Sequence, residues 1–479
     1  MCAVRGRAGR VGTFALVAAL VLVLAAVTFA GLHATGRVPG VLLGDAGPRP
    51  SPTASPSPSP SPAGPVLAPV TSSAAGPVGL DDRLLDDPDL GGDPGAYVVD
   101  IATGEVLLDE DSGTPRTPAS VAKLATAAGA LVALGPTAVL ETRTVAGAQP
   151  GEVVLVGGGD TTLTVGPSEN DGYPRSASLT DLADSTAAVL RNRGVRTVSV
   201  RVDDSRFAGP AVSPDWEPTY VGAGVVSPVS ALTVDAGRVR PGAAQRVADP
   251  AVRAGERLAS LLSDRGLTVS SGVTRTVAAA TAEPIASVSS PELAALVETM
   301  LATSDNDLAE SLFRLTAAGT GGPPTFAGGA VAVTDVLVGL GVPTEGLRLL
   351  DGSGLARGSR IAPETLGRLL ALAATSADSA TARLRSLVTG LPVAAFSGTL
   401  TDRFGPDGAR AGAGVVRAKT GTLTGVASLA GVAASRDGAG GTSRVVAFAL
   451  LTDDVAAADT LAARDALDQI AAAFTDPNG

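Results

Sequence analysis

Of the 36 lysine and arginine residues in this 479-residue chain, only Lys123 and Lys419 are lysines. Arginine stays protonated in any protein setting, whereas lysine can be tuned to give up its proton. Both lysines stand beside hydroxyls, in Ser120-Val121-Ala122-Lys123 and Lys419-Thr420-Gly421-Thr422, with Ser304-Asp305-Asn306 between them. A serine three residues before a lysine on one helix shares its face, about a turn away. That serine also lies near the positive end of the helix dipole. Such a pair can do nucleophilic catalysis, with Ser120 as nucleophile and Lys123 as its general base. To act near neutral pH, Lys123 must fall from a pKa of about 10.4. Burial and a second cation both push it down, and Lys419 is the candidate cation. A GC-rich genome would account for the depletion of lysine, but not for where the remaining two stand.

Taken singly, each motif has an ordinary explanation. Ser304-Asp305-Asn306, placed before the helical run 307–316, makes a good helix cap, and Lys419 suits any strand surface. In this order, and using both lysines, they form one constellation. Ser304 can relay a proton between Lys123 and a leaving amine, the Asn306 amide can hold a substrate peptide group, and Asp305 serves structure. Lys419 and the hydroxyls of Thr420 and Thr422 suit a substrate carboxylate, while Gly421 lets a backbone come close. An extended peptide would add to that strand edge, with an oxyanion held by the backbone N–H groups of Ser120 and Thr422. Gly157-Gly158-Gly159-Asp160 reads as a tight turn, since no Gly-Lys-Ser/Thr follows to make a phosphate loop. Asp351-Gly352-Ser353-Gly354-Leu355 likewise reads as a glycine-rich turn, with Ser353 the residue that could line a cleft.

These residues need elements to position them. Ala96–Ile101 and Val106–Leu108 read as a hairpin about Ala102-Thr103-Gly104. Thr117-Pro118 opens a helix over Ala119–Leu134, with the threonine as cap. Two helix–glycine–strand units follow: Leu179–Arg193, Gly194 and Thr197–Val202, then Val252–Arg265, Gly266 and Thr268–Val273. The end of the chain gives a strand at Val426–Ala433, a glycine-rich hairpin at Ser435–Thr442 and a strand at Arg444–Leu451. An amphipathic helix over Val455–Phe474 closes it. The pattern predicts an α/β sandwich, 79–150 with 286–479, split by an inserted α/β domain at 151–285.

Composition removes other chemistries. The chain has one histidine, His33, and one cysteine, Cys2, so Ser-His-Asp triads, Cys-His proteases and histidine zinc sites are excluded. A net charge of −11 and a pI near 4.7 argue against nucleic acid as a partner. Arg5, Arg7 and Arg10 precede an uncharged stretch, Val11–Leu32. As a helix it would span about 33 Å, enough for a hydrocarbon core of about 30 Å. We read residues 1–34 as a membrane anchor with the remainder outside. Cleavage at Thr28-Phe29-Ala30 would instead release a secreted protein. Residues 35–78, which hold the run PRPSPTASPSPSPSPAGP, read as an extended linker.

The ordered motifs resemble the active site of penicillin-binding proteins and serine β-lactamases. The spacing resembles most the D-alanyl-D-alanine carboxypeptidase/endopeptidase family, the low-molecular-mass class C penicillin-binding proteins, which carry a large insertion between the first two motifs. Here Ser120 and Ser304 are 184 residues apart. Further resemblance lies in VLVGGGDTTL (154–163), DDSRFAG (203–209), TSDNDLAESL (303–312), DGSGL (351–355) and SGTLTDRF (397–404). It implies a transpeptidase-like fold, an antiparallel sheet with helices, interrupted by the inserted domain. It also implies a serine peptidase that cuts peptidoglycan stem peptides ending in D-Ala-D-Ala through a Ser120 acyl-enzyme, is acylated by β-lactam antibiotics and needs no metal or organic cofactor.

Two rivals share those motifs. A class A β-lactamase pairs its deacylating glutamate with an asparagine after Ser-Asp-Asn, yet no asparagine occurs between Asn306 and Asn478. A β-lactam sensor or noncatalytic wall-binding protein would lack turnover on a D-Ala-D-Ala peptide.

Overall fold

Residues 82–475 are described by the computed structural model, apart from 168–172, 271, 376–380, 406–407 and 437–441. The expected membrane segment at 1–34, the linker at 35–78 and the turn of the C-terminal hairpin lie outside the described residues. In chain order come β1 (Gly95–Asp100), β2 (Val106–Glu110), a 3-10 turn (Ala119–Ala122), α1 (Lys123–Leu134), β3 (Glu141–Ala146) and β4 (Glu152–Val156). Next are α2 (Leu179–Asn192), β5 (Thr197–Asp203), α3 (Pro250–Asp264), β6 (Thr268–Val269), β7 (Thr274–Arg275) and β8 (Pro284–Ser289). Five helices follow: α4 (Leu293–Thr303), α5 (Asn306–Gly319), α6 (Phe326–Gly339), α7 (Pro363–Thr375) and α8 (Arg385–Thr389). The chain closes with β9 (Val416–Leu423), β10 (Val426–Arg436), β11 (Thr442–Thr452) and α9 (Thr460–Ala473). No described helix is long and apolar enough to cross a membrane.

The strands form two sheets. The first is antiparallel with order β2-β1-β11-β10-β9, so the two ends of the folded region share it. Every residue of β1 is buried, because layers cover both faces. Tyr97 and Val99 join the core made with α1, α4, α5 and α7. Ala96 and Val98 point the other way, into the core made with α9. This is the expected antiparallel sheet with helices.

The second sheet has order β6-β5-β4-β3-β8 and is mixed. β5 runs parallel to β4, β6 and β7, whereas β3 is antiparallel to β4 and β8. The expected helix–glycine–strand units supply its parallel part. Ser178 caps α2 by accepting from Asp181 N, and Asp249 caps α3 by accepting from Val252 N. Gly194 and Gly266 end these helices with φ of 76° and 79°, a region that costs glycine nothing. The continuous strand expected over Thr268–Val273 is instead the short pair β6 and β7, separated by Gly272 at φ 87°.

Candidate active site

Ser120 sits in the 3-10 turn that runs straight into α1. The expected cap is missing: Thr117 Oγ1 accepts from Arg360 Nη1 at 2.9 Å, and no side chain caps the turn. Tertiary contacts hold the turn instead. Ser428 on β10 donates its hydroxyl to Pro118 O at 2.7 Å. Gly354 lies so close to the turn that a Cβ there would stand 1.8 Å from Ala119 O. Ala119 itself has φ 47°, a strained value that costs about 1–3 kcal/mol and needs such bracing.

Lys123 is completely buried, with an exposure of 0%. Its Nζ donates to Ser120 Oγ at 3.0 Å, Asn306 Oδ1 at 2.8 Å and Ser353 O at 2.8 Å. Burial lowers its pKa to about 8, opposed first by the charge of Asp351 and then by Glu310. Lys419 is also pushed well below its usual value, by burial first and then by the charges of Lys123 and Arg403. The expected cation effect therefore falls on Lys419, while desolvation accounts for Lys123.

Ser-Asp-Asn occupies the joint between α4 and α5. Ser304 takes the left-handed conformation at φ 58° that ends α4, and Asp305 caps α5 by accepting from Leu308 N at 2.9 Å. Asp305 thus serves structure, as expected. Asn306 is fixed at both ends of its amide: Oδ1 accepts from Lys123, and Nδ2 donates to Val225 O at 2.9 Å. Ser304 Oγ accepts from Lys419 Nζ at 3.0 Å, so its hydrogen bond runs to the second lysine rather than the expected first.

Lys419-Thr420-Gly421-Thr422 lies on β9, the edge strand of the first sheet. Lys419 Nζ also donates to Thr420 O at 2.8 Å, and the Thr420 and Thr399 hydroxyls are 2.9 Å apart. A Cβ on Gly421 would meet Ser428 Oγ at 2.1 Å, Pro118 O at 2.7 Å and Ser120 N at 3.0 Å. The backbone that comes close to Gly421 is thus the turn carrying Ser120. Along the outer edge of β9, Ala394 N donates to Val416 O and Ala418 N donates to Pro392 O. The two-residue repeat of a strand puts Thr420 and Thr422 on that same edge, beyond the cover. Thr422 is exposed there.

Glu310, Asp351 and Asp307, near Lys123, were given no role from sequence, and Ser353 was expected only as a residue that could line a cleft. Glu310, Asp351 and Ser353 are fully buried, and the last presents its backbone carbonyl, not its hydroxyl, to the lysine. Asp351 accepts from Trp216 Nε1 at 2.8 Å and from the backbone of Gly354 and Ala356. Glu310, one helical turn after Asn306, was the group a sequence could have offered. Asp307, paired with the buried Arg246 at 2.8 Å, accepts from Ser227 N. Among the described residues no group of three or more His, Cys, Asp or Glu is placed to hold a metal ion.

The family model described as D-Ala-D-Ala carboxypeptidase 3 (S13) matches residues 78–246 and 241–474. The carboxypeptidase DacB of Mycolicibacterium smegmatis is 38% identical over 420 residues, covering 86% of this chain and 87% of that protein. The D-alanyl-D-alanine carboxypeptidase of Actinomadura sp. is 30% identical over 467 residues, covering 81% and 82%. The crystal structure of penicillin binding protein 4 from Haemophilus influenzae shares the fold, with a TM-score of 0.66 at 22% identity over 82% of this chain and 98% of that one. A second structure of that protein holds a β-lactam, with a TM-score of 0.62 at 21% identity over 81% and 97%. With its motifs assembled in one place and the family model spanning nearly the whole described region, the chain belongs to the D-Ala-D-Ala carboxypeptidase 3 (S13) family.

Proposed function

We propose that this chain is a serine-type D-Ala-D-Ala carboxypeptidase that hydrolyses peptidoglycan stem peptides through a Ser120 acyl-enzyme. The observation that carries the reading is the set of three acceptors around Lys123 Nζ. Ser353 O can only accept, and so can Asn306 Oδ1, whose amide is oriented by the bond from Nδ2 to Val225 O. When the amine loses a proton, its two remaining N–H bonds stay with these acceptors. Its lone pair is then left facing Ser120 Oγ, the only partner with a proton to give. Neutral Lys123 takes that proton as Ser120 attacks the penultimate D-Ala carbonyl. The N–H groups of Ser120 and Thr422 receive the oxyanion.

The proton taken by Lys123 passes through the Ser304 hydroxyl, which otherwise accepts from Lys419, to the nitrogen of the departing D-alanine. Neutral Lys123 then takes a proton from the water that attacks the ester and returns it to Ser120 Oγ. The peptide lies along the β9 edge at Thr420–Thr422, its carboxylate drawn by Lys419 and the threonine hydroxyls and its amide by Asn306. A β-lactam enters the same serine as a substrate mimic, as the likeness to the β-lactam-bound relative suggests. The positive N-terminus and uncharged stretch of residues 1–34 support a membrane anchor with the catalytic part outside the cell.

Release of D-alanine from a synthetic D-Ala-D-Ala peptide tests the proposal. Wild type should turn over many times, and Ser120→Ala should release nothing above background. A protein that is labelled by penicillin yet releases no D-alanine would be a sensor or wall-binding protein instead. Cleavage of a cross-linked muropeptide dimer measures any endopeptidase use of the same site.

A further inference from the structure

The Gly352–Ser353 peptide is held on every backbone polar atom by side chains of the two helices that carry the catalytic motifs. Glu310 on α5 accepts Gly352 N at 3.0 Å and Ser353 N at 2.9 Å. Thr126, one turn after Lys123 on α1, donates to Gly352 O at 2.7 Å. Ser353 O accepts Lys123 Nζ at 2.8 Å. The approach is tight enough to require glycine: a Cβ on Gly352 would stand 2.6 Å from both Ala309 O and Phe313 Cβ. We infer that Glu310 is a positioning residue for Lys123, clamping this peptide so that the Ser353 carbonyl aims the amine at Ser120. The inference rests on the proposed reading of Lys123 as general base.

Structure alone would ask only for two acceptors here; a buried carboxyl also adds charge once it ionises. Lys123 is faced by Asp351, Glu310, Asp305 and Asp307, and by the Lys419 amine, itself pushed well below its usual value. Burial first, and then the charge of Asp351, pushes Glu310 up to about 8, so it ionises over the same range as Lys123, and it lies near Arg314. Each ionised carboxylate favours the ammonium and offsets part of the burial that lowers Lys123 to about 8. Because Glu310 gains its charge in the range where Lys123 loses its own, taking that carboxyl away moves the lysine's titration further down. A group that merely fills space would leave that titration where it is.

The test is the rate of acylation of the full chain by a fluorescent penicillin, followed across pH values either side of about 8. Rates are taken per mole of protein that labels to completion, so misfolded material does not count. Glu310→Gln, which keeps the shape but turns one acceptor into a donor, is expected to lower the rate roughly tenfold to a hundredfold. It is also expected to shift the acid limb to lower pH. Thr126→Val removes the hold on Gly352 O without changing charge. It should lower the rate by a smaller factor and leave the limb in place. An unmoved limb in Glu310→Gln overturns the inference, as does a wild-type rate in Thr126→Val, which decides the matter alone if Glu310→Gln does not fold. Ser120→Ala and Lys123→Arg run in parallel separate the two claims. If either labels at the wild-type rate, the reading of the catalytic pair fails; if both are silent while Glu310→Gln behaves as wild type, only the clamp fails.

Discussion

All six residues of β1 are buried, whereas β5 alternates, with Val198, Val200 and Val202 buried and Ser199 and Arg201 partly exposed. The first sheet is sandwiched between helical layers; the second turns one face toward α2 and α3 and packs Leu179, Leu182, Leu190, Leu258 and Leu262 against it. The difference matters for chemistry. Complete removal of an amine from water lowers its proton affinity, and the first region is where both lysines reach zero exposure. The connection that leaves the second sheet between β5 and α3 reaches the site through Val225 O on Asn306 and through Ser227 N and Arg246 on Asp307, with Val226 packed beside Trp216 and Phe326. One region holds the reacting groups, and the other braces the helix that presents Asn306.

Substitutions on the two sides of this division should therefore behave differently. Lys123→Arg places a permanent cation beside Ser120, and acylation by fluorescent penicillin should fall roughly 10²–10⁴-fold. Labelling at the wild-type rate would end the general-base argument and with it the contrast between the regions. In wild type the same rate should rise with pH through about 8 and then level off, because below that value the amine is protonated and cannot take the Ser120 proton. A rate that is flat across this window would place the base elsewhere.

On the bracing side, Arg246→Ala leaves the buried Asp307 carboxylate without its cation. A stability loss on the order of 3 kcal/mol is expected in denaturant titration, along with a several-fold drop in labelling. Unchanged labelling of the folded variant would show that the brace is dispensable to the site. Leu182→Ala, deep in the second core, should cost about 2–5 kcal/mol yet leave the labelling rate of folded protein within about twofold. A larger fall would mean that the second core and the site are more tightly coupled than their contacts indicate.

The sequence showed some elements better than others for physical reasons. β10, β11 and the two helix–glycine–strand units were visible because apolar runs ended at residues with plain turn chemistry, such as Gly194 and Gly266. α6 and α7 were not: Phe326-Ala327-Gly328-Gly329-Ala330 offers little contrast between faces, and its helix is fixed by packing, with a Cβ on Gly329 placed 2.4 Å from the Phe313 ring. Thr117 looked like a cap by local rules, but its hydroxyl was taken by Arg360, 243 residues away. Glu310 and Asp351 stood inside segments already recognised by resemblance. Their roles stayed hidden because both act on backbone N–H groups, which carry no residue identity, and the one indole that Asp351 also holds, Trp216, lies 135 residues away.

What the sequence determined by itself was the cast and its order: two lysines, each beside hydroxyls, with Ser-Asp-Asn between them and no histidine in the described region to compete. Their spacing lets Ser120 and Lys123 be neighbours on one turn, because three residues nearly complete a helical turn, once Ser428 and Gly354 hold that turn. Only the tertiary structure decided which way the lysine points. Asn306 and the Ser353 carbonyl lie 183 and 230 residues away along the chain, and it is packing of α1, α5 and the 351–356 loop that brings them to Nζ. The same packing removes the water, so burial and placement of the base arise together.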